Sequence, residues 1–177
     1  MLYALIGSCC LAGESGAEQT RRLRAELARA EQALGQGRGH EAEVCYRRVL
    51  EEAGAQERST LLLARAIDGL ADLLRGQERV DDAIPLYRRS IDLWGRLLGA
   101  GQPRQATSMH NLGTIYLERS QLDEAETMLR QALRIWETAL GHDSFEAENT
   151  RRALRNLARA RERNGAAVRA VSSSKAP

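Results

Sequence analysis

Side chains recur at a spacing of 42 residues through the middle of this 177-residue chain, and that spacing restricts the fold more than any single residue does. Trp94 returns as Trp136, Leu98-Gly99 as Leu140-Gly141, Ala83 as Ala125 and Leu70 as Leu112. One step upstream the interval is 41 residues, from Ala42 to Ala83 and from Tyr46 to Tyr87. A fixed period of this size means stacked supersecondary units, each covering the apolar face of its neighbour, rather than one folded-over core. It points towards a binding scaffold and away from an enzyme.

The units read as helix pairs. Ala, Leu, Arg, Glu and Gln dominate, with three prolines, one phenylalanine and no run of β-branched residues, which favours helix over strand. Apolar residues keep the i, i+3, i+4, i+7 stripe of an amphipathic helix. Met109, Leu112, Gly113 and Tyr116 form one such stripe, and Leu122, Ala125, Leu129, Ala132, Leu133 and Trp136 form its partner. Ile67, Leu70, Ala71 and Leu74, then Ala83, Tyr87, Ile91 and Trp94, repeat the pattern one period earlier. Gly76-Gln77-Glu78-Arg79 and Glu118-Arg119-Ser120-Gln121 are the polar turns between them. Asp81-Asp82 and Asp123-Glu124 place acids in a first turn, where they complement the helix dipole, and Gly99 and Gly141 stand where a glycine ends a helix. The small residues Ala71, Gly113, Ala83 and Ala125 mark the close approaches.

The order Leu112-Gly113-x-x-Tyr116, Ala125, Leu129, Ala132 resembles the tetratricopeptide repeat. Leu70-Ala71-x-x-Leu74, Ala83, Tyr87 and Ser90 match it one period upstream. The 42-residue interval, His110-Asn111-Leu112-Gly113 and Asp123-Glu124-Ala125-Glu126 are similar to the longer kinesin-light-chain type of repeat. The resemblance implies an all-α helical array, an α-solenoid of about three helix-turn-helix units plus a capping helix. The units fall at about 15–56, 57–99 and 100–141 within a domain over 14–165, with the cap at 144–164 and a disordered tail at 166–177. The first unit is degenerate, with the stripe Leu23, Leu27, Ala30 and Leu34 one residue out of register and a loose Gly-rich turn.

In that family the first helices of the units line a concave groove that holds a peptide or helix. Carried over by register, the groove comprises Arg65, Asp68, Asp72 and Arg75, then Thr107, His110, Asn111, Thr114 and Leu117, and from the cap Asn149, Arg152, Asn156 and Arg159. Each set has helical spacing that puts it on one face. Asn111 can donate to and accept from a partner's backbone. Gly69 stands at its position one unit earlier, so a ladder of asparagines is incomplete. Arg152 and Arg159 can bind carboxylates bidentately, which favours an acidic partner segment. Asp68, Asp72 and Arg75 are also spaced for pairing within their own helix.

The ends carry separate expectations. Met1 to Gly13 is apolar, and Ile6-Gly7-Ser8-Cys9 resembles a bacterial lipobox whose cysteine is lipidated. No Lys or Arg precedes Cys9, and the apolar run is short for a signal peptide. Two readings stand: a remnant signal segment tethering the chain to a membrane through Cys9, or a tail with no targeting role. Localisation is accordingly cytoplasmic or membrane-anchored. Seven arginines against one glutamate lie between Arg151 and Arg169, but no aromatics interleave for base stacking and formal net charge is only +2. The helix reads as a solvated cap rather than a nucleic-acid surface.

No catalytic constellation, phosphate loop, cofactor motif or metal motif is evident. His40, His110 and His142 have no second histidine or cysteine at i+3 or i+4, so no zinc motif forms, and Cys45 falls in a helix where it packs as a small apolar residue. The expected function is non-catalytic binding of a protein partner in the groove. The alternative is self-association into a homodimer that covers apolar surface left by the degenerate first unit.

Overall fold

The computed structural model describes residues 16–54 and 60–174. They form α1 (Gly16–Gly35), α2 (Gly39–Gly54), α3 (Thr60–Gly76), α4 (Val80–Leu98), α5 (Pro103–Glu118), α6 (Leu122–Leu140) and α7 (Phe145–Ser174), with no strand among them. The expected all-α helix-pair fold is present. The helices divide into two compact units, one ending at Leu70 and the other beginning at Ala71, within α3.

One local motif makes the three pairs alike. Arg38, Arg79 and Gln121 each donate a backbone N–H to the carbonyl five residues back, on Ala33, Leu74 and Tyr116, at 2.9 Å in all three. The residue before each donor, Gly37, Glu78 or Ser120, has a positive φ of 72°, 63° or 60° and donates to Leu34, Arg75 or Leu117 at 3.0 Å. This double bond pattern satisfies carbonyls that a helix end leaves open. The next helix then carries Ala42, Ala83 or Ala125 as its fourth residue, each fully buried, because a larger side chain would hold the two helices of the pair apart. Gly99 and Gly141 cap α4 and α6 with φ of 84° and 91°.

In the first unit, Leu23, Leu27 and Ala30 of α1 are buried as expected, but the fourth residue of the stripe is Ala33 and not Leu34. Leu34 is 40% exposed. The turn closes onto the carbonyl of Ala33, which makes Ala33, and not Leu34, the counterpart of the buried Leu74 and Tyr116. Ala42, Cys45, Tyr46, Val49 and Ala53 supply the α2 side of the core.

In the second unit, α5 and α6 come close at Gly113, where a Cβ would lie 2.8 Å from Leu129 Cγ. The core continues through Ala106, Met109, Ala132, Trp136 and Ala147 into α7. At the position equivalent to Gly113, α7 carries Arg155, exposed and paired with Glu148 at 2.7 Å. α7 therefore shows charge where α5 makes a close helix contact, as expected of a cap. Its buried residues are Ala147, Thr150, Ala153 and Leu157, with Leu154 half-buried. The helix does not stop near residue 164: it runs on to Ser174 through Ala166, Ala167 and Ala170, strong helix formers with no proline before Pro177. The expectation of disorder over 166–177 is corrected to that extent. The N-terminal segment and Cys9 lie outside the described residues.

Candidate functional site

The predicted groove residues of the second unit fall on the end of α3, on α5 and on α7, and the structure ties four of them, Asp72, Arg75, Asn111 and Thr114, into one network. Tyr87 of α4 donates its hydroxyl to Asp72 Oδ1 at 2.6 Å. Asn111 Nδ2 donates to the same oxygen at 2.9 Å and lies 3.4 Å from Tyr87 Oη. On its other side Asn111 Oδ1 accepts from Arg75 at 3.3 Å, and Arg75 also donates to Thr114 Oγ1 at 3.2 Å. Thr114 returns its proton to the Asn111 carbonyl at 2.8 Å. The amide of Asn111 is thus held in one orientation, oxygen towards a cation and nitrogen towards an anion. Burial and the adjacent Asp72 carboxylate push the Tyr87 phenol well above its ordinary pKa, so it stays a donor.

The partners differ from the sequence expectation in one respect. Asp72 and Arg75 do not form an ion pair with each other; both reach across to α5, and Asp72 to α4. Tyr87 was expected only as packing. The signal was available: its counterpart one period on is Leu129, so the hydroxyl is an addition that packing alone does not require.

His110 joins α5 to α7, its Nδ1 lying 3.0 Å from Thr150 Oγ1. Thr150 gives its own proton to the carbonyl of Glu146 at 2.8 Å, so the imidazole must be the donor. Its proton is on Nδ1, and Nε2 is left as an acceptor. Burial, then the guanidiniums of Arg75 and Arg152, hold the imidazole pKa below its ordinary value. Arg152 donates to Asn149 Oδ1 at 2.6 Å. Neither Arg75 nor Arg152 pairs with a carboxylate among the described residues, so two cations flank a neutral histidine.

Two concavities frame this face. One of about 530 Å³ is lined by Asp72, Arg75 and Asn111 together with Glu78, Val80 and Glu118. The other, about 420 Å³, is lined by Leu117, Asn156, Glu118 and Arg163 among others. Glu118 and Arg163 continue the same stripes, four residues beyond Thr114 and Arg159, and were missed in sequence because the predicted sets stop at Leu117 and Arg159. Thr107 and Arg159 are exposed, and Thr107 bonds back to the carbonyl of Pro103 at 3.2 Å.

Arg65 and Asp68 lie on the part of α3 that belongs to the first unit. Arg65 pairs with Glu31 at 2.5 Å, and Asp68 is half-buried. Gly69, where an asparagine would extend the ladder, is covered: a Cβ there would lie 2.4 Å from Tyr46 Cζ. Cys45 is 2% exposed, and burial, with a hydrogen bond to Glu26, pushes its thiol pKa up, which keeps it un-ionised and unreactive. Among the described residues no cluster of metal-binding side chains occurs, and no helix is long and apolar enough to cross a membrane.

The tetratricopeptide repeat family matches residues 62–138. No curated protein matches the chain. Among solved structures, BtubC (BKLC) from P. vanneervenii superposes with a TM-score of 0.67 at 21% identity, over 81% of this chain and 57% of that one. The chain thus spans little more than half the length of that protein. The nearly identical TPR-like repeats of a protein described as a kinesin light chain from Podosopora anserina superpose with a TM-score of 0.67 at 20% identity, over 89% of this chain and 78% of that one. A single-substitution variant of it gives 0.66 at 24%, over 88% and 72%. At these identities the likeness is one of fold.

Proposed function

We propose that this chain, whose residues 62–138 are tetratricopeptide repeats with the fold of kinesin-light-chain repeats, is a non-catalytic adaptor that captures a carboxylate-bearing peptide or helix of a protein partner. Tetratricopeptide repeats commonly mediate protein–protein contacts and are typically non-catalytic. The observation that carries the finer reading is the pair of guanidiniums, Arg75 and Arg152, that act on neutral His110 and are ion-paired to none of the described carboxylates, although Asp72, Glu78 and Glu118 line the concavity beside Arg75. Arg75 is half-buried and spends itself on two long bonds to neutral acceptors. A partner carboxylate there gains charge-assisted hydrogen bonds, while Asn111 and His110 Nε2 offer a donor and acceptors to its backbone. Arg159, Asn156 and Leu117 extend the surface along α7 and α5.

Selection of a random peptide library on the immobilised chain tests this. Enriched peptides carry Asp or Glu, and Arg75→Glu with Arg152→Glu abolishes their binding. Enrichment without acids, or binding indifferent to the double reversal, sinks the reading.

A second reading, self-association through the first unit, is supported by the exposure of Leu61 at 53%, Leu34 at 40% and Val44 at 37%. Sedimentation decides it: a monomer at tens of micromolar removes it.

A further inference from the structure

Leu112 and Tyr116 lie on the side of α5 opposite Asn111 and Thr114, where α4, α5 and α6 bound a separate cavity of about 500 Å³. Its surface is largely apolar, made by Ile91, Leu112, Tyr116 and Met128. Leu112 is 2% and Tyr116 5% exposed. Arg88 lies at one side, its guanidinium forked onto Tyr116 Oη at 2.6 and 3.1 Å and its Cζ 6.0 Å from the ring centroid.

The Tyr116 hydroxyl proton is unspent and the Arg88 guanidinium has an edge to spare. A guanidinium only donates, so Tyr116 Oη accepts both bonds, and its own proton has no acceptor among the described residues. Arg88 has no carboxylate partner among them, although Asp123 and Glu124 line the same cavity. Asp123 is turned aside by Arg161, at 2.5 Å. The hydroxyl proton is part-buried at the cavity wall and available to an acceptor inside it, and the cation beside it sets the sign of the group that would complete it.

We propose that this cavity binds a small amphiphilic monocarboxylate, such as a medium-chain alkanoate. The carboxylate accepts from the Tyr116 hydroxyl and the free edge of the Arg88 guanidinium, and the alkyl body lies over Leu112, Ile91 and Met128. The cavity falls in the usual size range of small-molecule sites, about 300–1,000 Å³, with an apolar lining and few convergent polar groups. Glu124, a carboxylate with no cation beside it among the described residues, opposes the ligand's charge and weakens binding. This inference is independent of the peptide groove on the other side of α5.

Calorimetric titration of the full chain with octanoate, below its micellar range, tests the proposal, with octanol as the neutral counterpart. Saturable one-to-one binding of octanoate is expected, and octanol binds at least about tenfold more weakly, the scale of one hydrogen bond to a charged group. Tyr116→Phe, which keeps the ring, loses a similar factor; Arg88→Met loses more; Glu124→Gln tightens octanoate and leaves octanol unchanged. Thr127→Trp fills the exposed rim without touching either donor and blocks both ligands, so the proposal stays testable if Tyr116→Phe does not fold. Absence of saturable octanoate binding, equal affinity for octanol, or affinity unmoved in both Arg88→Met and Thr127→Trp overturns it.

Discussion

At one step of the repeat a tyrosine ring lies on a glycine; at the next a tyrosine hydroxyl meets an asparagine. Tyr46 and Gly69 stand in the same relation by register as Tyr87 and Asn111. In the first unit the ring of Tyr46 occupies the space a side chain at Gly69 would need. In the second, Asn111 keeps its side chain, and Tyr87 meets it through a shared carboxylate, Asp72. The same fold position is therefore spent on packing in one unit and on a polar surface in the other. The proposed recognition face is confined to the second unit's α3 end, α5 and α7 because only there does an asparagine replace the glycine.

Swapping the two arrangements tests this most strongly. Gly69→Asn forces the new Cβ into Tyr46, and overpacking of this kind costs about 1–3 kcal/mol. Thermal unfolding reads the loss, and Tyr46→Leu, which puts at that position the residue found at Leu129, recovers part of it. Full cost in both backgrounds contradicts the contact. Tyr87→Phe is the converse change, leaving ring packing intact and removing the shared donor. Hydrogen bonds to charged groups are worth about 1.5–3 kcal/mol, and Asp72 at this site is exposed, so a loss of about 1 kcal/mol by denaturant titration is expected. No loss places Asp72 in water rather than on Tyr87.

The turns offer a smaller contrast. The first pair has Gly37 at a positive φ that Glu78 and Ser120 adopt at the cost of a side chain in the left-handed region. That region disfavours L-residues by about 1–2 kcal/mol, and glycine's larger unfolded-state entropy offsets part of the gain. Glu78→Gly and Ser120→Gly each stabilise the fold by a net few tenths of a kcal/mol to about 1, read as a higher melting temperature. Gly37→Ala lowers it. A fall for both glycine variants contradicts the strain.

The last contrast is of charge. His110 replaces the carboxylate of Asp68 at the equivalent position. Its folded pKa lies below the ordinary 6.5, so the unfolded chain binds more protons as pH falls through that value. Stability is full above about 6.5 and declines as pH drops from there towards the depressed folded value. His110→Gln, which keeps a donor for Thr150, flattens this decline in unfolding measured from pH 7.5 to 5. An unchanged slope shows that other groups carry it.

Periodicity made the helix pairs, their turns and the buried alanines legible, because each is a local rule repeated along the chain. It put Asp72, Arg75 and Asn111 on one surface for the same reason. It did not disclose that Tyr87 binds them, since a hydrogen bond between residues on separate helices leaves no local pattern. Leu34 misled because stripe-reading selects size, whereas alignment by the turn's carbonyl bond puts Ala33 at the position of buried Leu74 and Tyr116. Gly69 read as a missing rung; only the ring of Tyr46 explains it. The length of α7 was underestimated because serine content outweighed the alanines that precede it.

The central claim is that the face around Asn111 receives the partner. Titration of the isotope-labelled chain with a selected acid-rich peptide, followed by NMR at side-chain nitrogens, addresses it directly. The account predicts that Asn111 Nδ2, the His110 ring, and the Nε of Arg75 and Arg152 shift together and saturate at one equivalent. Saturable binding that leaves those four signals unmoved contradicts it.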